Sequence, residues 1–204
     1  MRKIDKKEVV EPLSLSQFKR PNKQRNYSHL TPEIRQDIRK ACTKEQLYLC
    51  AYCCKTISGD SRDTMNEHVE ARRVAPNRDL DYTNIVASCT TPKQCDDAHG
   101  SQTFPLTPFD DECETALEFK ISGRVTGLTD DAKETIRVLN LDNKSLTEQR
   151  RTFINTILFT YGEDAIEDND LINIMIDELA QPKKGRLEAF SPVIVNALRG
   201  QQNV

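Results

Sequence analysis

Glycine and proline are scarce in this chain of 204 residues, 7 and 9 respectively, which excludes a collagen-like repeat and a low-complexity disordered chain. No apolar run reaches the roughly 18 residues that a membrane-spanning helix needs. The opening MRKIDKKEVVEP is charged and lacks the apolar core of an export signal, so the chain is expected to stay in the cytoplasm with no membrane partner. No internal repeat is present. What remains is a globular composition, 37% apolar and 30% charged, in a chain long enough for one domain with attachments or two small ones.

Against these absences stand seven cysteines. In a chain with no export signal they read better as thiolates than as disulfides, because reducing compartments keep thiols free. Charge is also unevenly spread. Residues 1–40 carry 11 Lys/Arg against 5 Asp/Glu, whereas residues 101–204 carry 11 against 18. A basic arm such as Phe18–Arg25 suits a polyanion or is simply solvated, and the acidic C-terminal half suits a protein partner.

The fold class expected is α+β, in three regions. Residues 1–47 hold the basic arm and helices: Thr31 and Pro32 have the chemistry of a helix start, and Thr43 to Gln46 has capping-box spacing. Residues 48–104 are rich in turn formers. Residues 105–204 open with a hairpin around Ser122-Gly123 and continue as helices. Among these, a capping box is expected at Ser145 to Glu148, with Gly162 as a stop, and a last helix runs from Ser191-Pro192 to Gly200.

The chemistry lies in the middle region. Cys50-x2-Cys53 has the spacing of a zinc knuckle, and Cys89-x5-Cys95 is a looser second pair. Together they predict a closed structural zinc site, with Cys42, Cys54 and Cys113 outside it. Between and after the pairs stand Glu67-His68, Asn84 in YTNIVASC, and Asp96 and His99 in CDDAHG.

That order resembles the HNH endonuclease motif. With MRKI, EQLYLCAYC, EHV, NIVASC, CDDAHG and TIRVLNLDNKSLTEQR included, most of residues 1–151 resembles the PtuB-like HNH nuclease subunit of Septu-type anti-phage systems, which also serves as a retron effector. The resemblance implies a ββα-metal core, flanked by helices, that cleaves phosphodiester bonds with magnesium or manganese. His68 is then the general base, since histidine has the pKa for deprotonating water near neutral pH. Glu67 is a ligand of the catalytic cation, and Asn84 pins the loop carrying the base. The usual third histidine is replaced by Asp96, with His99 one turn later, so either or both complete the cation site. Arg72, Arg73 and Arg78 are candidate phosphate contacts or solvated loop residues. His29 reads as a loop residue before the Thr31 cap.

The resemblance also implies partners: a PtuA-type ATPase and, in the retron form, a reverse transcriptase with its single-stranded DNA. The acidic C-terminal helices are the candidate docking surface. DNA and RNA, including tRNA, both remain open as targets. Two other classes compete, a zinc-dependent nucleic-acid-binding or adaptor subunit without turnover, and a redox or metal-storage protein.

Overall fold

A computed structural model of the protein describes residues 1–7, 9–21 and 25–202. Short helix α1 (Leu13–Lys19) leads to α2 (Pro32–Glu45), which starts where Thr31 and Pro32 predict. The Thr31 hydroxyl accepts a hydrogen bond from the Ile34 N–H, and Pro32 fills the first turn. The second helix start expected at Thr43 does not form. α2 runs through it, and the Gln46 side chain turns inward, donating to the carbonyls of Leu49 and Ala87 and accepting from the Ala87 N–H. A buried amide with three hydrogen bonds outweighs a cap worth about 1 kcal/mol.

Left-handed Leu47 and Tyr48 (φ 52° and 65°) then turn the chain into a loop closed by the Leu49–Thr56 bridge. Strand β1 (Thr64–His68) pairs antiparallel with β2 (Ile85–Cys89), placing Thr64 opposite Cys89 and His68 opposite Ile85. β2 is buried along its whole length, and α2 packs against both strands. A single turn, α3 (Asp96–His99), follows.

The hairpin marked by Ser122-Gly123 forms from β3 (Leu117–Phe119) and β4 (Val125–Gly127). Gly123 has φ +82°, and a Cβ there would stand 2.2 Å from the Thr147 carbonyl oxygen, so the turn and the close approach both require glycine. Four helices follow: α4 (Asp130–Val138), α5 (Lys144–Tyr161), α6 (Asn169–Ala180) and α7 (Ser191–Gln201). The cap of α5 is Asn143, not the predicted Ser145. Its Oδ1 accepts from the Leu146 N–H at 3.0 Å while its Nδ2 donates to the Asn140 carbonyl, fixing the preceding turn as well. α7 passes through Gly200, the expected stop, and ends at Gln201.

The described residues are thus α+β, with seven helices and two small antiparallel sheets, and no helix among them is long and apolar enough to cross a membrane. One buried cluster takes in residues from Met1 to Leu198, so all three regions contribute to it.

The first residues of the chain are docked on the rest of the fold. Met1 and Ile4 are buried, the Ile4 N–H bonds the Pro108 carbonyl, Lys3 pairs with Asp111 and Lys6 with Glu45. Within Phe18–Arg25, residues 22–24 lie outside the described residues, Lys19 pairs with Glu11, and Arg25 stacks on Phe18.

A second charged group is more deeply buried. Arg150 on α5 is 0% exposed; its Nη1 donates to the Leu141 carbonyl at 2.8 Å, its guanidinium lies over Phe119, and Nε and Nη2 have no hydrogen-bond partner among the described residues.

Candidate metal centre and acid–histidine site

The loop closed by Leu49 and Thr56 folds as a knuckle. The Cys50 N–H bonds the Lys55 carbonyl, the Cys54 N–H bonds the Cys50 carbonyl, and Cys54 is left-handed (φ 61°). This presents Cys50 and Cys53 to Cys89 at the end of β2 and to Cys95 just before α3. The four sulfurs are buried and lie within 4.8 Å of one another, with Cys50–Cys95 and Cys53–Cys89 both at 3.9 Å. Tetrahedral zinc with bonds of about 2.3 Å sets its sulfurs about 3.8 Å apart, so the donor set fits such an ion.

Donors around the sulfurs support the thiolate form. The Cys89 N–H reaches Cys50 Sγ at 3.3 Å, and the Gln94 amide lies 3.8, 3.7 and 3.9 Å from the sulfurs of Cys53, Cys89 and Cys95. Hydrogen bonding with Cys50 above all holds the Cys89 thiol well below the usual range and pushes Cys53 and Cys95 well above it, so without an ion the four sulfurs share protons. Cys42, Cys54 and Cys113 are buried outside the group; burial pushes Cys42 up to about 11 and Cys113 up to about 12, which keeps both protonated.

At the other end of the ribbon Glu67, 5% exposed, is a hub. Its Oε1 accepts from the Tyr52 hydroxyl at 3.0 Å and faces His99 Nδ1 at 2.6 Å, while Oε2 accepts from the His68 N–H at 3.0 Å. The Asp96 carboxyl is also within hydrogen-bonding reach of Glu67. Both residues offered by the sequence for the last motif position therefore meet the same carboxyl group. His99 Nε2 lies 2.7 Å from the Gln102 carbonyl oxygen, which can only accept, so this nitrogen carries a hydrogen.

Burial raises Glu67 above the usual carboxylate range and pushes Asp96, helped by its hydrogen bond to Glu67, up to about 8. Burial also holds His99 below the usual imidazole range. Two touching acids and an imidazole facing one of them need protons between them.

His68 follows Glu67 on β1 and so leaves the ribbon on the opposite face. Its Nε2 lies 2.9 Å from the Asp79 carbonyl oxygen, which assigns the hydrogen to Nε2 and leaves the lone pair on Nδ1. The Tyr27 ring meets it edge-on, with centroids 4.8 Å apart. Burial lowers the His68 pKa, so the ring is neutral near pH 7. Asn84 is fully buried and grips the backbone two residues beyond His68: its Oδ1 accepts from the Glu70 N–H at 2.8 Å and its Nδ2 donates to the Glu70 carbonyl at 3.0 Å.

The loop arginines divide. Arg72 is exposed with its guanidinium 5.0 Å from the Tyr27 ring, and Arg35 of α2 lies 5.3 Å from the same ring. Arg73 is exposed. Arg78 is held by Glu70 and Asp81 of its own loop. His29 closes a short turn, accepting from the Asn26 N–H at 3.3 Å.

Reading the sequence misses Tyr52, Gln94, Tyr27 and Asp79. Tyr52 and Gln94 are signalled by lying inside or beside the cysteine pairs, whereas Tyr27 and Asp79 have no motif around them. The chain matches no protein-family model and no curated protein.

Proposed function

We propose that the protein is a metal-dependent endonuclease of the HNH type, hydrolysing phosphodiester bonds in nucleic acid. Zinc at Cys50, Cys53, Cys89 and Cys95 is its structural ion, and Glu67, Asp96 and His99 would hold a catalytic magnesium or manganese. One observation carries the reading: a buried histidine whose Nε2 bonds a backbone carbonyl, leaving the lone pair on Nδ1, adjoins in sequence an acid that contacts two further ligand-type side chains. The order of β1, β2 and α3 supports a ββα-metal core.

When bound, the cation supplies positive charge against the phosphate and the leaving oxygen. His68 Nδ1 takes a proton from the attacking water, and the Nε2–H bond to Asp79 fixes the tautomer for that task. Tyr52 and the His68 N–H hold the Glu67 carboxylate in place. Asn84 holds the loop after the base. Arg72 offers its charge to a phosphate flanking the scissile one.

The same reading makes the protein the effector of an anti-phage complex in the cytoplasm, with a PtuA-type ATPase and, in the retron form, a reverse transcriptase and its single-stranded DNA. The acidic C-terminal helices serve as the docking surface. A zinc module that binds nucleic acid without turnover would need the cysteines but not the Glu67 hub.

The test is to incubate zinc-loaded protein with supercoiled plasmid and, separately, with folded RNA, with and without added manganese. Manganese-dependent cleavage of either is expected. Binding without cleavage of both would favour the non-catalytic module.

A further inference from the structure

We infer that Tyr27 and Asp79 are positioning residues for His68, so that a segment well outside the motif sets the orientation of the base. The functional meaning of this inference rests on the nuclease reading; its geometry does not.

The contacts form a closed circuit. The Tyr27 N–H donates to Asp79 Oδ2 at 2.9 Å, the Asp79 carbonyl accepts from His68 Nε2 at 2.9 Å, and the His68 ring packs at 85° against the Tyr27 ring. The ring of Tyr27 is itself held from β1, because Asn66 Nδ2 donates to its hydroxyl at 2.9 Å and to the Arg35 carbonyl at 2.8 Å. The loop between His68 and Asn84 is therefore pinned twice. Asn84 fixes its near end at Glu70, and Tyr27 fixes its far end through the Asp79 side chain.

The consequence is specific to one atom. While the Asp79 carbonyl is in place, Nε2 carries the hydrogen and Nδ1 is the basic nitrogen. If that carbonyl moves away, the hydrogen is free to change sides and the ring to turn. An ordinary core aromatic would contribute packing alone, whereas Tyr27 adds a backbone donor that holds the group selecting the tautomer. Misplacement by about 1 Å can cost on the order of 10²-fold in rate.

Four variants of the zinc-loaded full chain test this: Tyr27→Phe, Tyr27→Ala, Asp79→Asn and Asp79→Ala. Histidine ring nitrogens are labelled with ¹⁵N and observed by NMR where the ring is neutral, without catalytic cation, and single-turnover cleavage is measured in parallel. Tyr27→Phe and Asp79→Asn keep the ring and the acceptor, and should retain the Nε2–H signature of His68 and most of the rate. Asp79→Ala, which releases the loop from the Tyr27 N–H, should show tautomer-averaged His68 shifts and lose at least about 10-fold in turnover, with KM little changed; Tyr27→Ala keeps that N–H but loses the ring packed on His68, and should displace the His68 signals and lower turnover. Unchanged His68 signals in Asp79→Ala, whose half-exposed side chain makes it the safer variant to fold, would overturn the inference even if Tyr27→Ala does not fold. Shifted signals in a chain that never cleaves would leave the positioning intact and remove the nuclease reading instead.

Discussion

His99 Nδ1 lies 2.6 Å from Glu67 Oε1, and the carboxyl of Asp96 leans on the same group. A divalent cation entering this cluster must displace protons. Isothermal titration of manganese into the zinc-loaded protein, in two buffers of different ionisation enthalpy, should show release of about one proton per ion near neutral pH. Because Asp96 is pushed up to about 8, affinity should rise with pH until that value and then level. Binding without proton release would place the cation elsewhere.

Asp96→Asn should separate stability from activity. The carboxyl of Asp96 holds its proton far more tightly in the folded chain, at about 8, than at its ordinary 3.8, so its ionisation in the fold costs stability as pH rises between those values. In zinc-loaded protein without added cation, the asparagine variant should melt above the wild type at pH near 8, and the gap should close toward pH 4. Manganese should raise the melting temperature of the wild type only, and cleavage by the variant should fall on the order of 10²-fold or more. His99→Ala should instead lose about 1–3 kcal/mol of stability, since it strips a partner from the buried Glu67 carboxyl and from the Gln102 carbonyl. An Asp96→Asn variant that cleaves normally beside an inactive His99→Ala would assign the third motif position to His99 alone.

His68→Ala should lower turnover on the order of 10²-fold or more while zinc content, circular dichroism and nucleic-acid affinity stay as in the wild type. Cleavage at the wild-type rate would rule out His68 as the base.

Elemental analysis of the purified protein should find about one zinc per chain. Cys50→Ser and Cys89→Ser should lose the metal and fold poorly, because structural zinc contributes folding free energy directly. A well-folded wild-type preparation devoid of zinc would refute the assignment of the four-sulfur group.

Arg72→Gln should weaken oligonucleotide binding by the His68→Ala protein and reduce the salt slope by about 1, whereas Arg78→Gln, whose charge is already met by Glu70 and Asp81, should leave the slope unchanged. Deleting residues 1–7 should destabilise the fold rather than merely reduce binding, since Met1, Ile4 and Lys6 are docked. Fluorescence anisotropy across a salt series and thermal melting check the two statements.

Features with local causes are legible in the sequence. The Thr31-Pro32 start of α2, the Gly123 turn and the paired spacing of the four cysteines each depend on residues within one turn or one knuckle. The linear order of Glu67, His68, Asn84, Asp96 and His99 is legible too, but not that Glu67 would be the shared contact of Asp96 and His99. That depends on how α3 docks against β1. Thr43 to Gln46 misleads because a tertiary partner, Ala87, claims the Gln46 amide. Arg150 carries no sign of its burial in the sequence, since α5 turns it toward the β3–β4 hairpin, where it meets the carbonyls of Leu141 and Gly123. Tyr27 and Asp79 act through a backbone N–H and a backbone carbonyl, groups that every residue has and no motif records.

The β1–β2 ribbon carries Cys89 at one end and His68 at the other, four steps apart along the pairing, or about 13 Å at roughly 3.3 Å per step. Two strands alone are marginal, and a slip of one residue would exchange the faces of every side chain. Cys89 would swing away from the other three sulfurs in the same movement that turned Glu67 from Asp96 and His99. Closure of the four-sulfur group is therefore a gauge of strand alignment: a misaligned chain cannot bring Cys89 to the other three sulfurs, and a chain that has closed the group has already set Glu67 and His68 on their opposite faces.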